Sequence, residues 1–143
     1  SADQVAVVYA DGQIVDGEGY GKEIYGNTLA AKIAGVRDNE KVKAVVLRTF
    51  GAGNAPTESW FTELMADTVR AGKVVVNVTQ CPAGGVEEKR YATGDALARS
   101  GVVSGYDMTC EAALTKLMHL FGQGLTAEVA AAVARPLAGE MTV

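Results

Sequence analysis

The side chains of this 143-residue chain best placed to do chemistry stand just beyond apolar runs that read as strands. Arg48 ends the run 44–48 (AVVLR), and a guanidinium closing an otherwise apolar strand has to emerge at the carboxyl edge of its sheet. There its planar donor fork can clamp a carboxylate. Thr49 comes next, and Thr79 and Cys81 leave the end of a neighbouring run, 73–79, so hydroxyl and backbone donors can gather at the same edge. The plainer reading, an arginine paired to a local acid or turned to solvent, stays open beside it. Gly51-x-Gly53 follows a strand and opens a helix, as a phosphate site would, but Pro56 replaces the third glycine of the dinucleotide fingerprint. A turn using left-handed residues explains both glycines without a ligand. Residues 17–22 lack the spacing and the Ser/Thr of a phosphate-binding loop.

His119 is the single histidine, and Cys81 and Cys110 are not spaced as a zinc pair, so neither a metal centre nor a cofactor is expected. A nucleophile–histidine pair would have to recruit His119, which the helical pattern puts on a polar flank. The charge run 87–90 (EEKR) reads as a solvated loop.

The elements that would position these residues alternate. Strands are predicted at 5–9, 44–48, 73–79 and 102–104, the first a continuous β-branched run of the kind buried on both faces of a parallel sheet. Between and after them come helical patterns. Leu29, Ile33 and Val36 follow a cap at Asn27, and Phe61, Leu64, Met65 and Val69 follow a turn with Pro56 in the first turn and Gly72 at the C-terminal end. A short helix over 93–100 closes on Gly101. Cys110, Ala113, Leu114, Leu117, Met118 and Phe121 form an amphipathic stripe, and Val129, Val133 and Leu137 mark the inner face of a last helix capped by Thr126. Residues 16–26, with four glycines, are expected to form no regular structure. The prediction is a single α/β domain over 1–143: a parallel sheet of about four strands in a three-layer α/β/α arrangement, with right-handed crossovers.

Composition narrows the function classes. A net charge of -4 with no basic cluster gives a phosphate backbone nothing to condense upon, so nucleic acid is not an expected partner. The longest apolar runs are strand-sized, short of the roughly 20 residues a membrane helix needs. The opening residues show no charged-then-apolar leader, and two distant cysteines suit reduced thiols, which together predict a cytoplasmic protein.

From about residue 41 the chain resembles the C-terminal domain of bacterial cytoplasmic (type I) L-asparaginases. The resemblance rests on VKAVVLR (42–48), GAGNAP (51–56), VVVNVTQC (74–81), YATGDAL (91–97) and DMTCEAALTKL (107–117). Residues 3–48 resemble another family, the signal peptide peptidases of the serine/lysine type, in DQVAVVYADG (3–12), VDGE (15–18) and KVKAVVLR (41–48). Both share the second strand, and together they imply a chimera joined there, engineered rather than natural.

The asparaginase resemblance implies a Rossmann-like or flavodoxin-like sheet with strands in chain order. It implies a subunit interface and hence homo-oligomers, an asparagine near a neighbour's active site at the position of Asn54, and part of a regulatory asparagine pocket at Arg48, Thr79 and Cys81. It also implies what is missing. The family's nucleophilic threonine and the Thr-Asp-Lys set that activates it belong to an N-terminal domain with Thr-Gly-Gly-Thr and His-Gly-Thr-Asp motifs, and neither motif occurs here. The peptidase family continues from its strand into Asn-Ser-Pro-Gly-Gly, where this chain has Thr49-Phe50-Gly51. The expectation is therefore a folded domain without catalysis of its own. A weak asparagine- or aspartate-binding module at Arg48, Thr49, Asn54, Thr79 and Cys81 is one alternative, and residual amidohydrolase activity through Thr49 or Thr79 is another.

Overall fold

The computed structural model describes residues 3–10, 14–15, 24–49, 59–79, 97–124 and 128–141. Four strands, β1 (Gln4–Ala10), β4 (Val42–Thr49), β5 (Val74–Thr79) and β6 (Val103–Ser104), form one parallel sheet in that spatial order. The order along the chain and across the sheet is the same, as the asparaginase resemblance implies. Two helices, α1 (Gly26–Asp38) and α2 (Ser59–Arg70), lie between the first three of these strands, and α3 (Cys110–Gly122) and α4 (Val129–Val133) follow the last.

A sheet that never reverses its strand order has a geometric consequence. Right-handed crossovers that all step the same way lay their connecting segments on one face. The packing obeys this rule: Leu29 and Ile33 of α1, Phe61 and Met65 of α2, and Leu97 of the helical turn at 97–99 share one cluster with Val45, Leu47 and Val75. The opposite face, Ala44, Val46, Val76 and Val78, is closed by Ala113, Leu117 and Leu120 of α3 and Val129, Ala132 and Val133 of α4. Three layers result. Strand alternation sorts these residues, since neighbours in β4 and β5 point to opposite faces.

Helix ends follow the glycines. After α2, Gly72 (φ 91°) donates to Val69 O and Lys73 to Thr68 O, and after the turn at 97–99, Gly101 (φ 91°) donates to Ala98 O and Val102 to Leu97 O. Both pairs satisfy orphan carbonyls through a left-handed residue that glycine adopts without a Cβ penalty. Leu97 and Val102 are also both buried, which supplies the apolar contact that accompanies the motif.

Several expectations need correction. Ile14–Val15 (β2) pairs in parallel with Ile24–Tyr25 (β3), so residues 24–26, read as loop, are a strand and the start of α1. Their β-branched and aromatic types outweigh the surrounding glycines. Asn27, read as a cap, sits one residue inside α1. The stripe on α3 is rotated from the reading. Met118 is 64% exposed, while Lys116, left out of the stripe, is 5% exposed and faces the core with Ala113, Leu117 and Leu120. Leu137 lies beyond α4 and is half exposed, because that helix stops after Val133. The readings at 16–23, 51–56, 93–96 and Thr126 fall outside the described residues.

Candidate functional site

The carboxyl edge of the sheet is where the sequence gathers its candidate residues. In register there, Tyr9 pairs with Arg48 and Arg48 with Val78, while Thr49 pairs with Thr79. Adjacent positions on a strand point apart, so Arg48 and Thr49 serve opposite faces.

Arg48 shares the face of Ala44 and Val46. Its guanidinium carbon lies 4.7 Å from the centre of the Tyr9 ring, a cation–π contact at the outer strand of the sheet. On the same face α3 begins. Thr109 caps it, its hydroxyl oxygen accepting from Ala112 N at 3.1 Å, and Cys110 follows. Burial pushes the Cys110 thiol up, and the Arg48 charge pulls it partly back, which puts the arginine within electrostatic reach of the α3 N-terminus. A guanidinium near the positive end of a 13-residue helix is an environment favouring a carboxylate, with Glu111 in the first turn opposing it.

Thr49 is fully buried on the other face. Its hydroxyl donates to Asn77 Oδ1 at 2.9 Å, with Val78 O as a second acceptor at 3.3 Å. A nucleophilic hydroxyl needs a base to take its proton and a path for substrate, and these two partners are an amide and a carbonyl oxygen. Asn77, which the sequence reading passed over, is the centre of this belt, for its own carbonyl accepts from Gly105 N at 2.8 Å. A polar residue in the run VVVNVT was the available signal, since a buried amide in an apolar strand requires partners. Gly105 has to be small. A Cβ there would stand 2.8 Å from Val78 Cγ1 and 2.9 Å from Asn77 O.

Of the other candidates, Thr79 is placed by its backbone at the end of β5, level with Thr49, while Asn54 and Cys81 lie outside the described residues. His119 is exposed on α3. Among the described residues no cluster of His, Cys, Asp and Glu is arranged to hold a metal, and no helix is long and apolar enough to cross a membrane.

Residues 24–133 match the family described as the Glutaminase/Asparaginase C-terminal domain. L-asparaginase 1 of Escherichia coli K12 is 47% identical over 104 residues, covering 72% of this chain and 31% of that protein. The 60 kDa lysophospholipase of Homo sapiens is 45% identical over 103 residues, 71% of this chain and 18% of its own. The crystal structure of L-asparaginase I from Vibrio cholerae superposes with a TM-score of 0.78 at 38% identity, over 100% of this chain and 39% of that one. The chain thus spans well under half the length of these relatives. The findings lend no support to a peptidase origin for residues 3–48 or to a junction at β4, since the family match already includes residues 24–48. With the α/β/α layering, the chain-ordered sheet and the match over 24–133 all in agreement, this chain belongs to the Glutaminase/Asparaginase C-terminal domain family.

Proposed function

We propose that this chain is a non-catalytic unit of the asparaginase type, one that supplies structure and recognition surface to amide hydrolysis and carries out none by itself. The observation that supports it most is the state of Thr49 at the end of β4. It is buried and spends its proton on Asn77 and Val78. The absence of the Thr-Gly-Gly-Thr and His-Gly-Thr-Asp motifs points the same way. A two-parent origin plays no part in this reading. The test is ammonia release from L-asparagine, by the chain alone and after mixing with the separately produced N-terminal portion of the Escherichia coli relative. Background release by the chain alone is expected. Turnover by the chain alone that survives Thr49→Val and Thr79→Val ends the proposal outright, and turnover lost in either variant restores the amidohydrolase reading.

The second reading is weak recognition of asparagine or aspartate through Arg48. The Arg48–Tyr9 contact beside the α3 N-terminus favours it. It predicts a thermal shift with millimolar aspartate that vanishes in Arg48→Ala, and no shift in the parent chain ends it. As to partners, the exposed Tyr9, Met118 and Leu137 suit a chain that self-associates, which light scattering at rising concentration decides.

A further inference from the structure

The helix α3 carries a lysine where its pattern calls for core. The Nζ of Lys116 donates to the carbonyl oxygen of Val133 at 2.8 Å and to that of Arg135, stands 3.3 Å from Met141 Sδ, and lies 3.8 Å from the Glu140 carboxylate. Val133 and Arg135 bracket the C-terminal end of α4, where carbonyls lack helical partners and a cation is favoured. Glu140 folds back over the same segment. Its carboxylate accepts from the backbone N–H of Leu137 and, at 3.1 Å, from that of Ala138. Gly139, at φ 78°, supplies the left-handed residue that lets the chain reverse between them. The next residue, Met141, is buried in the cluster with Val46, Val76 and Val78.

We propose that Lys116 is a latch: it selects one conformation of the irregular segment 134–141, and breaking it lets that segment open as a unit and withdraw Met141 from the core while the sheet stays folded. The energetics favour this over a role in overall stability. Taking an ammonium out of water is costly, and replacing such groups by apolar ones is often neutral for the fold as a whole. Burial accordingly pushes the Lys116 amine below its usual range, against the pull of Glu140. What the ammonium adds is a set of donors that one arrangement of 134–141 satisfies. Local opening of such a weakly secured unit is an ordinary property of native proteins.

Ionisation of the latch has a definite sign. Among the described residues the charged groups around Lys116 are these: α4 (VAAAV) has no ionisable side chain, the segment brings Glu140 and the exposed Arg135, and His119, three residues along α3, is exposed. The Glu140 carboxyl is held below its ordinary value of 4.5, chiefly by the Leu137 N–H. Its contribution is therefore complete above about pH 4.5 and is lost as pH falls through the lower folded value. Lys116 acts oppositely. With its folded value lowered, deprotonation at alkaline pH relieves a buried charge, so opening is expected on the acid side alone.

Amide hydrogen exchange on the whole chain tests this, with Lys116→Met as the uncharged unbranched variant. In K116M the amides of 134–141 are expected to lose tenfold or more of their protection and the Met141 methyl resonance to shift, with β4 and β5 amides unchanged. Segment amides as protected as in the parent overturn the proposal. So does protection lost equally from β4 and β5, or a variant that does not fold, because Lys116 then supports the entire domain. A second, independent arm compares the parent with Glu140→Gln across pH 3 to 7. An acid-induced loss of protection confined to 134–141 is expected in the parent and absent in E140Q, and coincident profiles overturn the proposal.

Discussion

The two faces of the sheet are closed by different kinds of chain. On one, α1, α2 and the turn at 97–99 are each tied to a strand before and a strand after, so the connections themselves hold them against the sheet. On the other, α3 and α4 follow β6 instead of linking two strands of the sheet, and there a lysine enters the core and donates to the segment that comes after. A layer threaded between strands is placed by its connections and apolar burial, whereas on the α3–α4 face the Lys116 donors add a directional interaction that favours one position. That is how an apparently misplaced charge comes to sit at a core position of α3.

Substitutions on the two faces should differ in their cost. Phe61 is fully buried on the crossover face, edge-on to Trp60 at 5.7 Å. Phe61→Ala is expected to cost about 3–5 kcal/mol, read as a lower urea midpoint with unchanged slope. A cost near 1 kcal/mol would show that burial on this face matters less than its connections. Thr49→Val keeps the volume but removes the hydroxyl that donates to Asn77 Oδ1, for about 1–3 kcal/mol in the same experiment. A neutral result would mean the polar belt at the strand ends can be met by other groups. Met118→Lys, on the outer side of the α3–α4 layer, should change stability by no more than about 0.5 kcal/mol. A larger loss that depends on protein concentration would reveal that α3 is covered by a second copy.

Sequence reading reached the four strands of the main sheet and the layering, because β-branched runs separated by helical spacing leave few other solutions, while the strand order came only through the asparaginase resemblance. It went astray where two residues compete for one face. Met118 follows Leu117 and looks apolar enough for the stripe, yet the buried positions 113, 116, 117 and 120 run past it to a lysine whose stem packs well and whose charge needs carbonyls from a distant segment. Hydrophobicity alone cannot report such partners, since Val133 and Arg135 are 17 and 19 residues away. At the site, Arg48 was legible from its place at the end of an apolar strand. The separation of Arg48 from Thr49 was legible too, from the two-residue period of a strand, but it shows only when the period is applied to the candidates themselves.

The unreversed strand order also bears on how the molecule is made. When β6 has left the ribosome, every described residue of the crossover-face cluster has been made, while Ala44, Val46, Val76 and Val78 still await residues 108–141. At roughly 5–20 residues per second, delivering them takes about 2–7 s. During that interval the nascent chain displays a bare aliphatic surface.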